Sequence, residues 1–214
     1  MTFRRAFPKS FLGLVFLVSC RYASADPMAA VNFSGFGFNS GSTDTSATVG
    51  WSFTVSEALT VSSLGYFDLG ANGLGESHGV AIWTGAGTLL TSATVPSGTA
   101  GTLLNSFRYV AISPLILNPG VYVIGGGNAL AVDTFVGIAS GFSASPLISF
   151  TAARGIDGSL EFPTISNPAF NPGFFGPNML ITAAAVPEPS NLILFGTGLI
   201  ALVGLAVKRS MTRG

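Results

Sequence analysis

The central part of this 214-residue chain predicts an all-β fold, a single antiparallel β-sandwich or jelly-roll-like domain, on three observations. Apolar and β-branched residues come in short runs, with Gly, Ser, Thr and Asn between them. Glu, Lys, Gln and Arg, the residues that populate helix surfaces, are scarce there. Several runs alternate with period two, and none between residues 26 and 185 carries the 3.6-residue period of an amphipathic helix. A body of that length forms one ordinary domain and can bury a sizeable core.

The strands follow in order. Thr48 to Val55 alternates, with Trp51, Phe53 and Val55 on one face, and Leu59 to Tyr66 resumes the pattern after a turn at Ser56-Glu57. Gly79 to Trp83 stops at the glycine-rich Thr84-Gly-Ala-Gly87, and Thr88 to Val95 follows, so the two read as a hairpin. Phe107 to Ile112 and Val121 to Ile124 flank Leu117-Asn-Pro-Gly120, a turn signal with proline ahead of glycine. The glycine run Gly125-Gly126-Gly127 then reads as an exit turn. Later strand candidates are Val136 to Ala139, Leu147 to Ala152 and Met179 to Ala184, making about nine short strands. Phe162, Phe170, Phe174 and Phe175, laced with Pro163, Pro168, Pro172 and Pro177, read as a long loop packed over the sandwich edge, or else as an assembly surface.

Both ends differ from this body. Arg4, Arg5 and Lys9 precede the apolar run Phe11 to Val18, and Ala23-Ser24-Ala25 supplies an A-x-A cleavage site before Asp26, so residues 1–25 read as a secretory signal peptide. Leu17-Val18-Ser19-Cys20 also resembles a lipobox, which would make Cys20 an acylated N-terminal residue instead. At the C-terminus, Val186-Pro187-Glu188-Pro189-Ser190 leads into an apolar segment, 191–207, expected to form a transmembrane helix, and the basic tail 208–214 follows. The stretch Leu192 to Val207 is about 24 Å long as a helix, short of the roughly 20 residues of a comfortable span. Such a segment suits a temporary membrane stop, with Lys208, Arg209 and Arg213 kept on the cytoplasmic side and the body outside the cytoplasm. Pro187 and Pro189 keep the motif extended and open to a protease. A plain single-span anchor behind a proline-rich linker is the alternative.

A Pro-Glu-Pro signature, one apolar segment and a terminal basic cluster, adjacent and in that order, resemble the PEP-CTERM sorting signal of exported bacterial proteins. The resemblance covers only residues 186–214. It implies export to the cell envelope, outer surface or extracellular matrix of a biofilm former after a transient inner-membrane stage. It also implies processing by an exosortase, a membrane-embedded cysteine transpeptidase, and association with exopolysaccharide. Within the body, a second pattern runs through Gly50-Trp-Ser-Phe-Thr-Val55, Leu59-Thr-Val-Ser-Ser-Leu-Gly65, Ser77-His-Gly-Val-Ala-Ile-Trp83, Gly87 to Val95 and Leu117-Asn-Pro-Gly-Val-Tyr-Val123. It resembles an uncharacterised β-sandwich domain of bacterial surface and PEP-CTERM proteins, which implies fold and habitat and carries no activity.

Removing the two targeting segments changes the electrostatics. Residues 26 to 186 keep only Arg108 and Arg154 against eight carboxylates, a net charge of −6, and contain no lysine. Two scattered cations give phosphate backbones nothing to hold, so nucleic acid is not an expected partner. The single cysteine, Cys20, lies before the cut, which leaves the body without disulfide, thiol or cysteine–zinc chemistry.

No phosphate loop, dinucleotide fingerprint, zinc-protease helix or nucleophile elbow occurs. Asp68, Asn72 and Glu76 offer hard oxygen ligands separated by glycines, which makes Ca²⁺ the one cofactor the body suggests, although the spacing is not that of an EF-hand. The same loop also reads as a solvated hairpin turn, with His78, the only histidine, at the start of the next strand. A hydrolase built on Asp68, Glu76 or His78 has no visible paired and desolvated environment nearby. Trp51, Tyr66, Trp83, Tyr109 and Tyr122 would suit either a sugar-stacking face or the core, and their alternating positions favour the core. The expectation is therefore a non-enzymatic envelope or matrix protein, with a carbohydrate-binding module as the alternative and a secreted hydrolase behind it.

Overall fold

The computed structural model describes residues 26–40, 46–128, 132–184 and 208. The signal peptide, the sorting motif at 186–190, the apolar segment 191–207 and Arg209 lie outside the described residues. Among the described residues no helix is long and apolar enough to cross a membrane.

The body is all-β and antiparallel. In chain order the strands are β1 (Met28–Ala29), β2 (Val31–Asn32), β3 (Gly35–Ser40), β4 (Ala47–Val55), β5 (Leu59–Phe67), β6 (His78–Thr84), β7 (Leu89–Val95), β8 (Thr102–Leu104), β9 (Phe107–Leu117), β10 (Gly120–Asn128), β11 (Phe135–Ser140), β12 (Ser143–Ala144), β13 (Ile148–Asp157), β14 (Ile165–Ser166) and β15 (Pro177–Ala183). One sheet runs β1-β15-β5-β9-β8 and the other β14-β13-β4-β10-β6-β7, with two-stranded ribbons β11-β3 and β12-β2 beside them. The expected hairpin is β6 paired with β7. The Asn118-Pro119 turn does not close a hairpin, because β9 and β10 belong to different sheets.

Both sheets contribute to one buried cluster: Trp51, Phe53 and Val55 from β4 and Ile124 from β10 meet Leu59, Leu64, Phe107 and Met179 from the opposite sheet. Period-two alternation explains the choice on β4, where Trp51, Phe53 and Val55 point inward together. On β5 the inward set begins at Leu59 and Val61 and switches parity to Leu64 and Tyr66, because Val61 and Ser63 pair with the consecutive Ile181 and Leu180 of β15, which leaves Ser62 as an extra residue in β5. The Trp51 indole N–H donates to the Pro177 carbonyl at 3.0 Å, so its burial leaves no orphaned donor.

The proline- and phenylalanine-rich stretch packs over a sheet face rather than only its edge. Glu161 N–H donates to Thr48 Oγ1 at 2.9 Å, and Phe162 meets Trp83 edge-on at 6.1 Å, which covers the outer side of β4 and β6. Phe175 goes further and enters the core, 6.2 Å from the Trp51 ring.

Gly125, Gly126 and Gly127 are not an exit turn. They sit inside β10, paired with β4 on one side, while Gly125 and Gly126 also pair with β6 on the other. The reason is space. A Cβ on Gly126 would lie 2.8 Å from the Tyr66 ring, and one on Gly125 would lie 2.9 Å from Thr48 and 3.0 Å from Trp83. Backbone without side chains is what lets rings cross this strand on both faces.

The run supplies its own control. Gly126→Ala should destabilise the protein by about 1–3 kcal/mol through overpacking against Tyr66. Gly127→Ala, whose Cβ would meet its nearest atom at an ordinary 3.6 Å, should stay within about 0.5 kcal/mol. Urea unfolding of both variants checks the difference, and equal losses would show that the Tyr66 ring does not set the requirement.

Candidate functional site

The site lies where the end of β5 meets the start of β6. Tyr66 is the penultimate residue of β5 and His78 the first of β6, so they belong to opposite sheets. Their rings stack with centroids 3.7 Å apart and planes 2° from parallel, and both residues are buried. Gly126 and Gly176 make room for the phenol, since a Cβ on either would fall within 3 Å of it.

His78 is held at both nitrogens. Nδ1 lies 2.9 Å from the Gly127 carbonyl oxygen, and because a carbonyl only accepts, Nδ1 is the donor. Nε2 lies 2.9 Å from Asp133 Oδ2. Asp133 accepts two further hydrogen bonds, from the Gly75 N–H at 2.9 Å and the Glu76 N–H at 3.0 Å. The carboxylate is thus fixed by the loop it faces. Ligand-type atoms of Glu76, His78 and Asp133 all lie within 4.8 Å of one another.

Three polar atoms around this place are buried without a hydrogen-bond partner: Tyr66 OH, Glu76 Oε1 and Thr134 Oγ1. Asp133 and Thr134 also line a polar cleft of about 290 Å³, together with Leu69, Asn72, Gly73 and Val132. Burial pushes the Tyr66 hydroxyl far above its ordinary ionisation range, and the negative charges of Asp133 and Glu76 push it further. Burial does the same for Tyr109, whose hydroxyl is likewise unpartnered.

Beneath the loop is a second charged pair. Asp68 is buried, with Oδ2 accepting from Arg108 Nε at 2.8 Å and the Gly73 N–H donating to the same carboxylate at 3.0 Å. Three further guanidinium hydrogens go to the carbonyls of Thr99, Gly101 and Ala71. A guanidinium satisfied in this way braces the 68–77 loop against β8 and β9.

The residues read from the sequence therefore part company. Asp68 belongs to Arg108, Asn72 is exposed on the cleft wall, and Glu76 joins His78 and Asp133. His78 does meet a carboxylate in a buried setting, which corrects the expectation that nothing near it is paired or desolvated. Asp133 was invisible as a partner, being 55 residues from His78 in a segment with no motif. Arg108 left a faint signal, since a lone cation on a strand of an acidic body needs a counter-charge. Of the five aromatics, Trp51, Tyr66 and Tyr109 are core residues, Trp83 is buried on the outer side of β6 against Phe162, and Tyr122 is half-buried with its hydroxyl donating to the Asn118 carbonyl at 2.9 Å.

The chain matches no family model, no curated protein and no solved structure.

Two consequences are measurable. Asp68→Ala strands a buried guanidinium and should cost about 3–5 kcal/mol in urea unfolding, whereas adding Arg108→Met should restore part of the loss because no unpaired charge then remains inside. Strictly additive losses would show that the pair is not coupled. The second concerns alkali. Folding raises the Tyr66 and Tyr109 pKa values above their ordinary 10.0, so the neutral phenols are the favoured form. Their contribution is intact below pH 10 and is lost as pH rises towards the folded values. At about 1.4 kcal/mol per proton and pH unit, the two together should give a slope of about 2.7 kcal/mol per unit above pH 10. Tyr66→Phe or Tyr109→Phe should each remove half of that slope in pH-dependent unfolding, and an unchanged slope in both would overturn the assignment.

Proposed function

We propose that this chain is an exported cell-envelope or extracellular-matrix protein, a non-enzymatic β-sandwich module sorted by a PEP-CTERM-type tail and cleaved by an exosortase. The observation that carries the reading is the ordered tail, with Val186 to Ser190, the apolar segment 191–207 and Lys208-Arg209 behind a body that follows a signal peptide. The apolar segment crosses the inner membrane as a short helix only while the protein is being processed.

The fold supports this arrangement. β1 begins at Met28, two residues after the expected cut before Asp26, and pairs with β15, which ends at Ala183 ahead of the motif. First and last strands of the body lie side by side in one sheet, so both targeting segments can be removed without cutting a strand. The exposed ionisable groups described between 26 and 184 are carboxylates, namely Asp26, Glu57, Asp157 and Glu161. Both cations are engaged internally, Arg108 with Asp68 and Arg154 with Ser52 and the Thr164 carbonyl. The released body is an acidic surface that suits a hydrated polysaccharide matrix and does not suit nucleic acid.

A hydrolase that uses His78 as its base is disfavoured, because the ring is covered by Tyr66 and its nitrogens face Gly127 and Asp133. A carbohydrate-binding module remains the alternative. It would have to use residues other than Trp51, Tyr66, Trp83 and Tyr109, all of which are buried.

Replacing Pro187, Glu188 and Pro189 together with Ala should leave the protein full-length in the membrane fraction of a host with the processing enzyme. The unmodified chain should lose the tail from about the motif onward and appear in the matrix or medium, with intact mass also showing residues 1–25 removed. A mature chain starting at an acylated Cys20 would make it a lipoprotein. Identical fractions and C-termini for mutant and unmodified protein would reduce the tail to an ordinary anchor.

A further inference from the structure

We propose that Glu76, His78 and Asp133 form a binding site for a divalent first-row transition cation of the Zn²⁺ kind, which clips the 68–77 loop to the segment leading into β11. This is a different donor set from the Asp68, Asn72 and Glu76 oxygens that the sequence suggests for Ca²⁺, and it does not depend on the sorting reading.

The imidazole is held as a metal ligand would be. A metal-bound histidine usually donates its other ring N–H to a carbonyl or carboxylate, which fixes the tautomer and aims the remaining lone pair at the ion. His78 has this arrangement, with Nδ1 bound to the Gly127 carbonyl, the ring immobilised against Tyr66 and Nε2 pointing at carboxylates. Asp133 is prepared in the same way by the Gly75 and Glu76 amides, which orient its carboxylate.

Two buried polar atoms around His78 lack partners. Glu76 Oε1 is buried with nothing to accept from, and a carboxylate oxygen of Glu76 belongs to the group whose ligand atoms are all within 4.8 Å of one another. Tyr66 is fully buried, its hydroxyl is unpartnered, and the charges of Asp133 and Glu76 bear on it. Unsatisfied groups are rare in protein interiors, and two of them around one histidine call for a common cause. A cation takes up Glu76 directly, and a water on that cation gives the phenol an oxygen to bond.

Charge and distance agree. Two carboxylates converge here, while Arg108 is committed to Asp68 and Arg154 to Ser52 and the Thr164 carbonyl, so neither cation of the body neutralises them. Tetrahedral bonds of about 2.0–2.1 Å place ligand atoms roughly 3.3 Å apart. The 2.9 Å between His78 Nε2 and Asp133 Oδ2 needs to open only slightly, and Glu76, half-buried on a loop, needs to close from at most 4.8 Å. The imidazole selects the metal class, because Ca²⁺ and Mg²⁺ prefer all-oxygen shells whereas Zn²⁺ accepts nitrogen and carboxylate together. The cleft that Asp133 lines provides the route in.

The test uses the full chain, stripped with EDTA and titrated with ZnCl₂ in a calorimeter. One ion per chain should bind, the melting temperature should rise with free Zn²⁺ by mass action, and CoCl₂ should give the visible absorption of a four-coordinate N/O site. Glu76→Gln keeps the Tyr66–His78 stack and the His78–Asp133 contact, so it should retain the metal-free melting temperature while weakening Zn²⁺ binding more than about 100-fold, beyond what loss of an outer partner costs. Asp133→Asn should weaken it similarly, and the two variants guard against a misfolded His78 substitution. No Zn²⁺ binding, equal binding by Glu76→Gln, or tighter binding of CaCl₂ or MgCl₂ than of ZnCl₂ would each overturn the proposal.

Discussion

The flat contact between Tyr66 and His78 is the point through which the two sheets are tied at one end of the body. It requires a phenol at the end of β5, an imidazole at the start of β6 and a strand, β10, with no side chains where the phenol crosses. Each requirement constrains the next. The register shift in β5 turns Tyr66 inward, Gly126 admits its ring, and the Gly127 carbonyl then accepts the hydrogen bond of the His78 Nδ1–H. With the ring fixed on one side, its other nitrogen can only face the loop that carries Asp133.

Scarcity of positive charge explains much of the remainder. A body with two cations cannot scatter them over its surface and also neutralise buried carboxylates. Arg108 is spent inside on Asp68 and three carbonyls, which shapes the 68–77 loop from below. Glu76 and Asp133 then meet above it with only His78 for company. A buried ion pair of this type adds less to net stability than it enforces on geometry, since the cost of leaving one member alone is large. The loop is therefore held in one conformation by a pair of charges the sequence keeps 40 residues apart.

Legibility varied with the physics of each element. β4 was visible because Trp51, Phe53 and Val55 recur with period two and occupy the inward positions their spacing implies, while the burial of the residues between them came from a covering segment that the period does not reveal. β1, β2, β12 and β14 are two-residue strands with no room for a period; β1 and β14 add to the longer β15 and β13, and β2 and β12 pair with each other. β3 pairs with β11 across an irregular register, so its alternation predicts nothing by itself. The glycine run misled because glycine usually ends strands, and here it is the clearance for rings that come from elsewhere.

By itself the sequence determined the all-β character, the charge of the body, the core role of most aromatics and the expectation of a processed, exported chain. These properties are local or additive: a period, a composition, a charge count, a tag read in order. Only the tertiary structure decided that Asp68 belongs to Arg108, that Glu76 and Asp133 converge on His78, and that Tyr66 covers that ring. Those are pairings between residues brought together by strand order and bulges, and neither the order of strands in a sheet nor the position of a bulge leaves a periodic trace in the chain.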